Sequence, residues 1–288
     1  MKTCIATVTS PDFVPGTLVL IHTFLKHNPW FDGDIVLITD GLSPREENEL
    51  SNFPNVSFHK PGNDLQLRIG SLCMDLPTYN PKRKRFYSIE VFNLQDYDRV
   101  LFFDSDMLVT SDLSEIAKLP DQLMACSDMF NHPGRVRDKV TFKRKPELDF
   151  TDKQSFLPTT FNAGFISIGS NYLNGNTYKG LKELINKDIF EKIRTHNTDQ
   201  VVFNLYFDGK TTLLPIAYNL IMSKWPALLQ SGKITSNEIK ILHYTGNYKP
   251  WETSPKMNEL MADTHFKPFY DLWHSEYQEA LSRLKKKN

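Results

Sequence analysis

At 288 residues and 40 % hydrophobic content, the chain carries enough apolar material for one large α/β domain or two small ones. Its 34 Lys plus Arg balance 34 Asp plus Glu, so no global field draws it to nucleic acid or acidic lipid, and any preference for anions has to come from a local site. The cysteines Cys4, Cys73 and Cys126 are odd in number and lack the close spacing of a zinc or redox motif, which predicts free, mostly buried thiols and a reducing compartment.

The apolar run at residues 4–8 is too short and too β-branched for a signal peptide, and no later stretch approaches the length of a membrane span, so the sequence reads as cytoplasmic. Residues 4–8 instead read as a buried strand, 16–27 as a helix behind a loop holding Pro11 and Pro15, and 34–39 as a second strand. Ser43-Pro44-Arg45-Glu46-Glu47 has the marks of a helix N-terminus, with Ser43 as cap, Pro44 in the first turn and acids behind it. Residues 56–59 form a short strand candidate. Residues 85–94 have helical spacing through Phe86, Ile89, Val91, Phe92 and Leu94, and lead into 99–103, a strand apolar on both faces.

The polar stretch 128–155, with Lys139, Lys143, Arg144 and Lys145, predicts a long surface loop or lid. Beyond it, 161–168 reads as a strand, 199–207 as a helix and 239–244 as a late strand. Strands alternating with helices predict a mainly parallel, doubly wound α/β sheet in one domain with insertions. The tail, 266–287, predicts a helix with Phe266, Phe269, Tyr270, Trp273 and Tyr277 near one-turn spacing and a basic end at Arg283, Lys285, Lys286 and Lys287. That pattern fits two readings: a helix packed on the domain, or peripheral contact with a membrane surface or a lipid-linked acceptor.

Two stretches carry chemistry. In Phe102-Phe103-Asp104-Ser105-Asp106, two carboxylates stand two residues apart just beyond an apolar strand, and in an extended chain residues i and i+2 face the same side. Like charges gathered there are costly unless a cation or hydrogen bonds compensate, so the pattern asks for a metal. It equally fits a strand-end turn whose Asp caps the next segment. Further on, His243-Tyr244-Thr245-Gly246-Asn247-Tyr248-Lys249-Pro250-Trp251 offers a nitrogen ligand, a glycine that lets the backbone near a phosphate, and a cation for that phosphate. Alone, His243 reads as a structural histidine. Together, two carboxylates and an imidazole suit Mn²⁺ or Mg²⁺ with open positions for diphosphate oxygens, and make a poor structural zinc site.

From Cys4 to about Trp251 the chain resembles glycosyltransferase family 8, which contains glycogenin and the bacterial lipooligosaccharide α-galactosyltransferases. The motifs stand in the family's order: the first strand and its loop through Leu20, Asp104-Ser105-Asp106, Phe161-Asn162-Ala163-Gly164-Phe165, Thr198-Asp199-Gln200, Leu214-Pro215 to Tyr218-Asn219, and His243 to Trp251. The resemblance implies a GT-A type, Rossmann-like domain over residues 1–265 with a C-terminal helical tail over 266–288. It implies a retaining, metal-dependent hexosyltransferase that takes glucose or galactose from a UDP-sugar to a glycan, a lipid-linked saccharide or a protein, with no nucleic-acid partner.

By the same resemblance, Thr7, Thr9 and Ser10 contact base and ribose, and Phe13 stacks near uracil. Asp104, Asp106 and His243 hold Mn²⁺ or Mg²⁺, with Ser105 and Ala163 lining the donor. Lys249 adds charge at the diphosphate, and Gly246 lets the backbone approach it. Asn162, Asp199 and Gln200 form the catalytic group at the sugar, the Gln200 amide nearest the anomeric carbon. One position departs from the family: a basic residue is common where Ser88 stands, and Arg85, one helical turn earlier, is the residue placed to substitute. Two rival functions share parts of this pattern. A sugar-nucleotidyltransferase wants a Gly-rich basic loop near the N-terminus, and residues 9–16 hold one glycine and no base. A non-catalytic sugar-nucleotide-binding protein would be marked by lost ligands, and Asp104, Asp106 and His243 all stand.

Overall fold

The computed structural model describes residues 1–119, 122–128, 161–193, 197–232, 234–246 and 248–285. Apart from Asp128, the segment read as a lid lies outside them. The N-terminal half runs β1 (Thr3–Val8), a 3-10 turn (Pro11–Phe13), α1 (Val14–His27), β2 (Asp34–Ile38), α2 (Pro44–Leu50), β3 (Val56–His59) and α3 (Asn63–Asp75). A 3-10 run (Pro77–Asn93) leads to β4 (Arg99–Asp104), β5 (Met107–Val109), α4 (Ser114–Lys118) and β6 (Leu123–Ser127). Then come β7 (Phe161–Gly169), α5 (Gly175–Glu183), α6 (Lys187–Ile193), α7 (Asp199–Tyr206), β8 (Thr211–Leu214), β9 (Leu220–Ile221), α8 (Trp225–Gln230), β10 (Ile241–His243), α9 (Pro255–Ala262) and α10 (Lys267–Lys285).

The main sheet has the order β3-β2-β1-β4-β7-β6-β8. Strands β3 to β4 run parallel, as the βαβ opening predicts. Strand β7 enters antiparallel between β4 and β6. A small second sheet, β5-β10-β9, stands apart from it. Central strands carry no exposed face: every residue of β4 before Asp104 is buried, which is why Val100 to Phe103 is apolar without alternation.

The region read as an α-helix at 85–94 is a series of 3-10 turns. Pro81 lies inside it, lacks the N–H an α-helix needs and disfavours helical geometry at Asn80. Tertiary partners then hold the tighter winding, which places residues i and i+3 on one face: Phe86, Ile89 and Phe92 are all fully buried. Glu90, also buried, accepts hydrogen bonds from Gly62 N at 2.7 Å and from the Tyr178 hydroxyl at 2.5 Å.

The tail is helical, and its aromatics are core residues. Tyr270 and Trp273 are buried in one cluster with Val19 of α1, Leu108 of β5 and Tyr244. Phe266 is buried and Phe269 is packed on the same cluster. This packing is the first of the two readings, a helix set on the domain. At the seam with α1, Lys26 Nζ lies 2.9 Å from Glu276 and 2.7 Å from Glu279 of α10. Among the described residues no helix is long and apolar enough to cross a membrane, and all three cysteines are free and buried.

Candidate active site

The carboxylate pair sits where the chain leaves the large sheet for the small one. Strand β4 ends at Asp104, Ser105 and Asp106 form a turn, and β5 continues in the second sheet. There β10 pairs antiparallel with β5, setting His243 opposite Met107, and Tyr244 N donates to Asp106 O at 3.0 Å. His243 Nε2 consequently lies 3.1 Å from Asp106 Oδ1 and 3.5 Å from Asp104 Oδ2. The two carboxylates converge, but through a turn and not through strand alternation. Asp106 and His243 are buried while the Asp104 side chain is 42 % exposed, so the cluster opens on one side.

One ligand atom from each of these residues lies within 4.8 Å of the others, and such a hard, mixed oxygen and nitrogen set fits a divalent cation with positions left over. Close packing holds His243 in place: a Cβ at Gly164 would lie 2.3 Å from its Cε1 and 2.7 Å from its Nδ1. Gly164 follows Ala163 at the start of β7, next to Phe165, which pairs with Phe103. The Phe-Asn-Ala-Gly segment therefore lies beside Asp104.

A chain of side-chain hydrogen bonds leads inward from His243. Its Nδ1 lies 2.8 Å from Asn219 Oδ1, Asn219 Nδ2 donates to Asn162 Oδ1 at 2.8 Å, and Asn162 Nδ2 donates to Gln200 Oε1 at 3.1 Å. Gln200 Nε2 donates to Asp128 Oδ2 at 2.8 Å. Asn162 and Gln200 are the two of these that the sequence points to; Asn219 and Asp128 join the site only through the fold.

Asp199 is buried at the start of α7, and Ser88 and Thr198 hold it: the Ser88 hydroxyl lies 2.7 Å from Oδ2, and Thr198 Oγ1 donates to Oδ1 at 2.9 Å. The Ser88 hydroxyl is also 2.9 Å from Arg85 O and serves one acceptor at a time. Burial, and next the negative charge of Asp104, push the Asp199 carboxyl up to about 6 against the two hydroxyls and the Arg85 charge. Ser88 is thus no gap in the site: its hydroxyl holds Asp199. Arg85 is exposed, and its charge is felt at both Asp199 and Lys249.

Lys249 is buried against Asp106, its ammonium in contact with Oδ2 and donating to Tyr244 O at 2.8 Å. Burial brings it down to about 8; Asp104 opposes that shift and Arg85 adds to it. The Lys249 ammonium also stands 5.3 Å from the Phe13 ring centre. Phe13 meets Trp251 edge-on at 5.7 Å, and Trp251 Nε1 donates to Asp12 O at 3.0 Å. The loop after β1 and the segment after β10 therefore form one wall.

Within that wall Ser10 opens the 3-10 turn, Thr9 Oγ1 is 2.8 Å from Thr17 Oγ1, and Thr7 is buried in β1. A Cβ at Gly16 would lie 2.3 Å from Ser105 O, so α1 packs directly under the carboxylate turn. Gly246 has φ of +62° and nothing within 4 Å of where its Cβ would be: left-handed backbone facing open space.

A sequence model of glycosyl transferase family 8 matches residues 4–254. The chain belongs to this family. Among curated relatives, the lipopolysaccharide 1,2-glucosyltransferase of Escherichia coli strain K12 is 26 % identical over 254 residues, covering 83 % of this chain and 70 % of that protein. Among solved structures, the galactosyltransferase LgtC bound to donor and acceptor sugar analogues superposes with a TM-score of 0.63 at 16 % identity, covering 94 % of this chain and 95 % of LgtC. The WbbM bifunctional glycosyltransferase superposes at 0.67 with 19 % identity, covering 98 % of this chain, which spans about half (51 %) of that longer protein. These likenesses show the GT-A fold, with a mostly parallel sheet and a helical C-terminal region, and the family match makes the chain a glycosyltransferase.

Proposed function

We propose that the protein is a retaining hexosyltransferase that moves glucose or galactose from a UDP-sugar to a saccharide acceptor and requires a divalent cation, Mn²⁺ foremost. The observation that carries this reading is the meeting of Asp104, Asp106 and His243 at the crossing between the two sheets, with Lys249 at its back and Asp104 on its open side. Asp104, Asp106 and His243 would hold the cation, which when bound supplies positive charge for the leaving diphosphate. Lys249 supplies a second charge there, and Gly246 leaves backbone space for the phosphates. Ser10 and Phe13 line the wall where base and ribose would lie, with Thr7 and Thr9 behind them. Arg85 adds exposed positive charge at the rim. The name of the E. coli relative supports a saccharide acceptor, free or lipid-linked.

Retention is the stereochemical course these residues favour. The side chain placed at the sugar, Gln200, is an amide and a poor nucleophile, with both ends engaged by Asn162 and Asp128. Among the described residues, Asp128 accepts from Gln200 and Asp199 is held by Ser88 and Thr198, so neither is poised as a base on an acceptor. The route this favours is attack by the acceptor on the face the diphosphate leaves, its proton passing to a phosphate oxygen. Transfer from UDP-glucose and UDP-galactose, assayed with Mn²⁺ and with excess chelator, tests the cation requirement. Full activity in chelator would end it. Asp106→Ala and His243→Ala should each lower kcat about 100-fold or more with the fold retained. The anomeric coupling in the proton NMR spectrum of the first-formed product tests retention, and a β-linked product from the α-linked donor would refute it.

A further inference from the structure

The hydrogen bonds behind His243 all run in one direction, and that direction is set by groups that cannot reverse. Amide side chains can be turned end for end, so the polarity of such a chain needs an anchor. Here the main chain and a carboxylate provide it. Gly164 N–H is a donor only, and it lies 2.9 Å from Asn162 Oδ1, which fixes the oxygen of Asn162 on that side. Asn219 must then present its NH₂ group to Asn162, and its oxygen therefore faces His243 Nδ1. At the other end, Asp128 accepts the Gln200 NH₂, which turns Gln200 Oε1 towards Asn162 Nδ2 and Ala163 N. Both anchors impose the same polarity.

We infer that Asn219 is a positioning residue that holds the proton of neutral His243 on Nδ1, so that the Nε2 lone pair is presented to a cation shared with Asp104 and Asp106. Left to itself, a neutral imidazole with Nε2 at 3.1 Å from a carboxylate oxygen keeps its proton on Nε2, where it donates to Asp106. Cation binding would then have to move that proton across the ring. Asn219 is fully buried and sits 24 residues before His243, on the turn entering β9, which pairs parallel with β10. The parallel register places Ile221 beside His243, so the two side chains meet by strand pairing. Outer partners of this kind change metal affinity about 10- to 100-fold.

This inference rests on the proposed cation site, and its test reads the ring and the cation, not sugar transfer. Long-range ¹H–¹⁵N spectra of the full chain, freed of metal and recorded on the neutral ring, should show His243 protonated at Nδ1. Asn219→Leu should move the proton to Nε2 and raise the Kd for Mn²⁺, measured by electron paramagnetic resonance, about 10- to 100-fold. Asn219→Asp, which still accepts from Nδ1 but sets its second oxygen against Asn162 Oδ1, should keep the Nδ1 proton. Far-UV circular dichroism checks that each variant is folded. The wild-type spectrum alone suffices if the leucine variant is not. An Nε2 proton in the wild type, or unchanged Mn²⁺ affinity in a folded Asn219→Leu, overturns the inference. Normal Mn²⁺ binding and ring spectra in a protein that transfers no sugar would instead overturn the proposed function and leave this assignment standing.

Discussion

Gly164 shows how much of the site is fixed by the space available. A methyl group there would press on the His243 ring and on Met107 Cε, the latter at 2.7 Å. Gly164→Ala should displace His243 from the carboxylates. We expect kcat to fall about 100-fold, Mn²⁺ binding to weaken, and stability to drop by about 1–3 kcal/mol from overpacking; wild-type Mn²⁺ affinity would show that the ring has room to shift. Asp199 makes the opposite trade. Its folded-state carboxyl, near 6, lies above its ordinary 3.8, so the native state prefers the protonated form. The cost is absent below pH 4, grows as pH rises to about 6, and is constant above; at about 1.4 kcal/mol per unit it reaches about 3 kcal/mol. Asp199→Asn should thus be more stable than wild type by up to that amount at pH 7, equal to it near pH 3.5, and slower in transfer. Urea titrations at the two pH values check it. Arg85→Ala should raise the KM for the donor about three- to tenfold, since an exposed cation at the rim contributes modestly; an unchanged KM would assign Arg85 to solvent. At this scale the ligand types were legible because Asp-x-Asp and a strand-end histidine advertise their chemistry. Asn219 and Asp128 were not, because an amide and a carboxylate at loop edges look like ordinary turn residues until strand pairing brings them together.

Local pattern was a good guide to elements wherever one face is buried and the backbone is regular. The strands expected at 4–8, 34–39, 56–59 and 99–103 and the helices α1, α7 and α10 lie within about two residues of where periodicity places them. It failed at the 3-10 run, where the apolar positions Phe86, Ile89 and Phe92 suit either winding and Pro81 with the Glu90 contacts decides. It also gave no sign of β5 or β9, three and two residues long, whose existence depends on β10 lying between them. The tail aromatics posed a choice between core and membrane that spacing cannot make, since both partners ask for the same stripe. Trp273 is 1 % exposed. Trp273→Ala should cost about 3–5 kcal/mol in urea unfolding. A loss under 1 kcal/mol would mean that α10 is not part of the cooperative unit.

Seen whole, the molecule is two sheets with the carboxylate and imidazole cluster on their boundary: Asp104 ends the large one, and His243 belongs to the small one. Mn²⁺ with UDP should therefore tie the sheets together and raise the unfolding free energy by about 2.7 kcal/mol at a hundred times Kd. A melting curve with and without chelator reads this directly, and no shift would place nucleotide binding elsewhere. The seam between α1 and α10 has a further consequence, for the order of assembly during synthesis. Lys26 and Glu276 are 250 residues apart in sequence. The first βαβ unit can form before α10 is made, but the outer face of α1, with Val19 and His22, stays uncovered until α10 has emerged. During that wait the nascent chain exposes the apolar face on which Trp273 will later sit. The interval before α10 docks is thus when the chain is most open to aggregation and most dependent on chaperones.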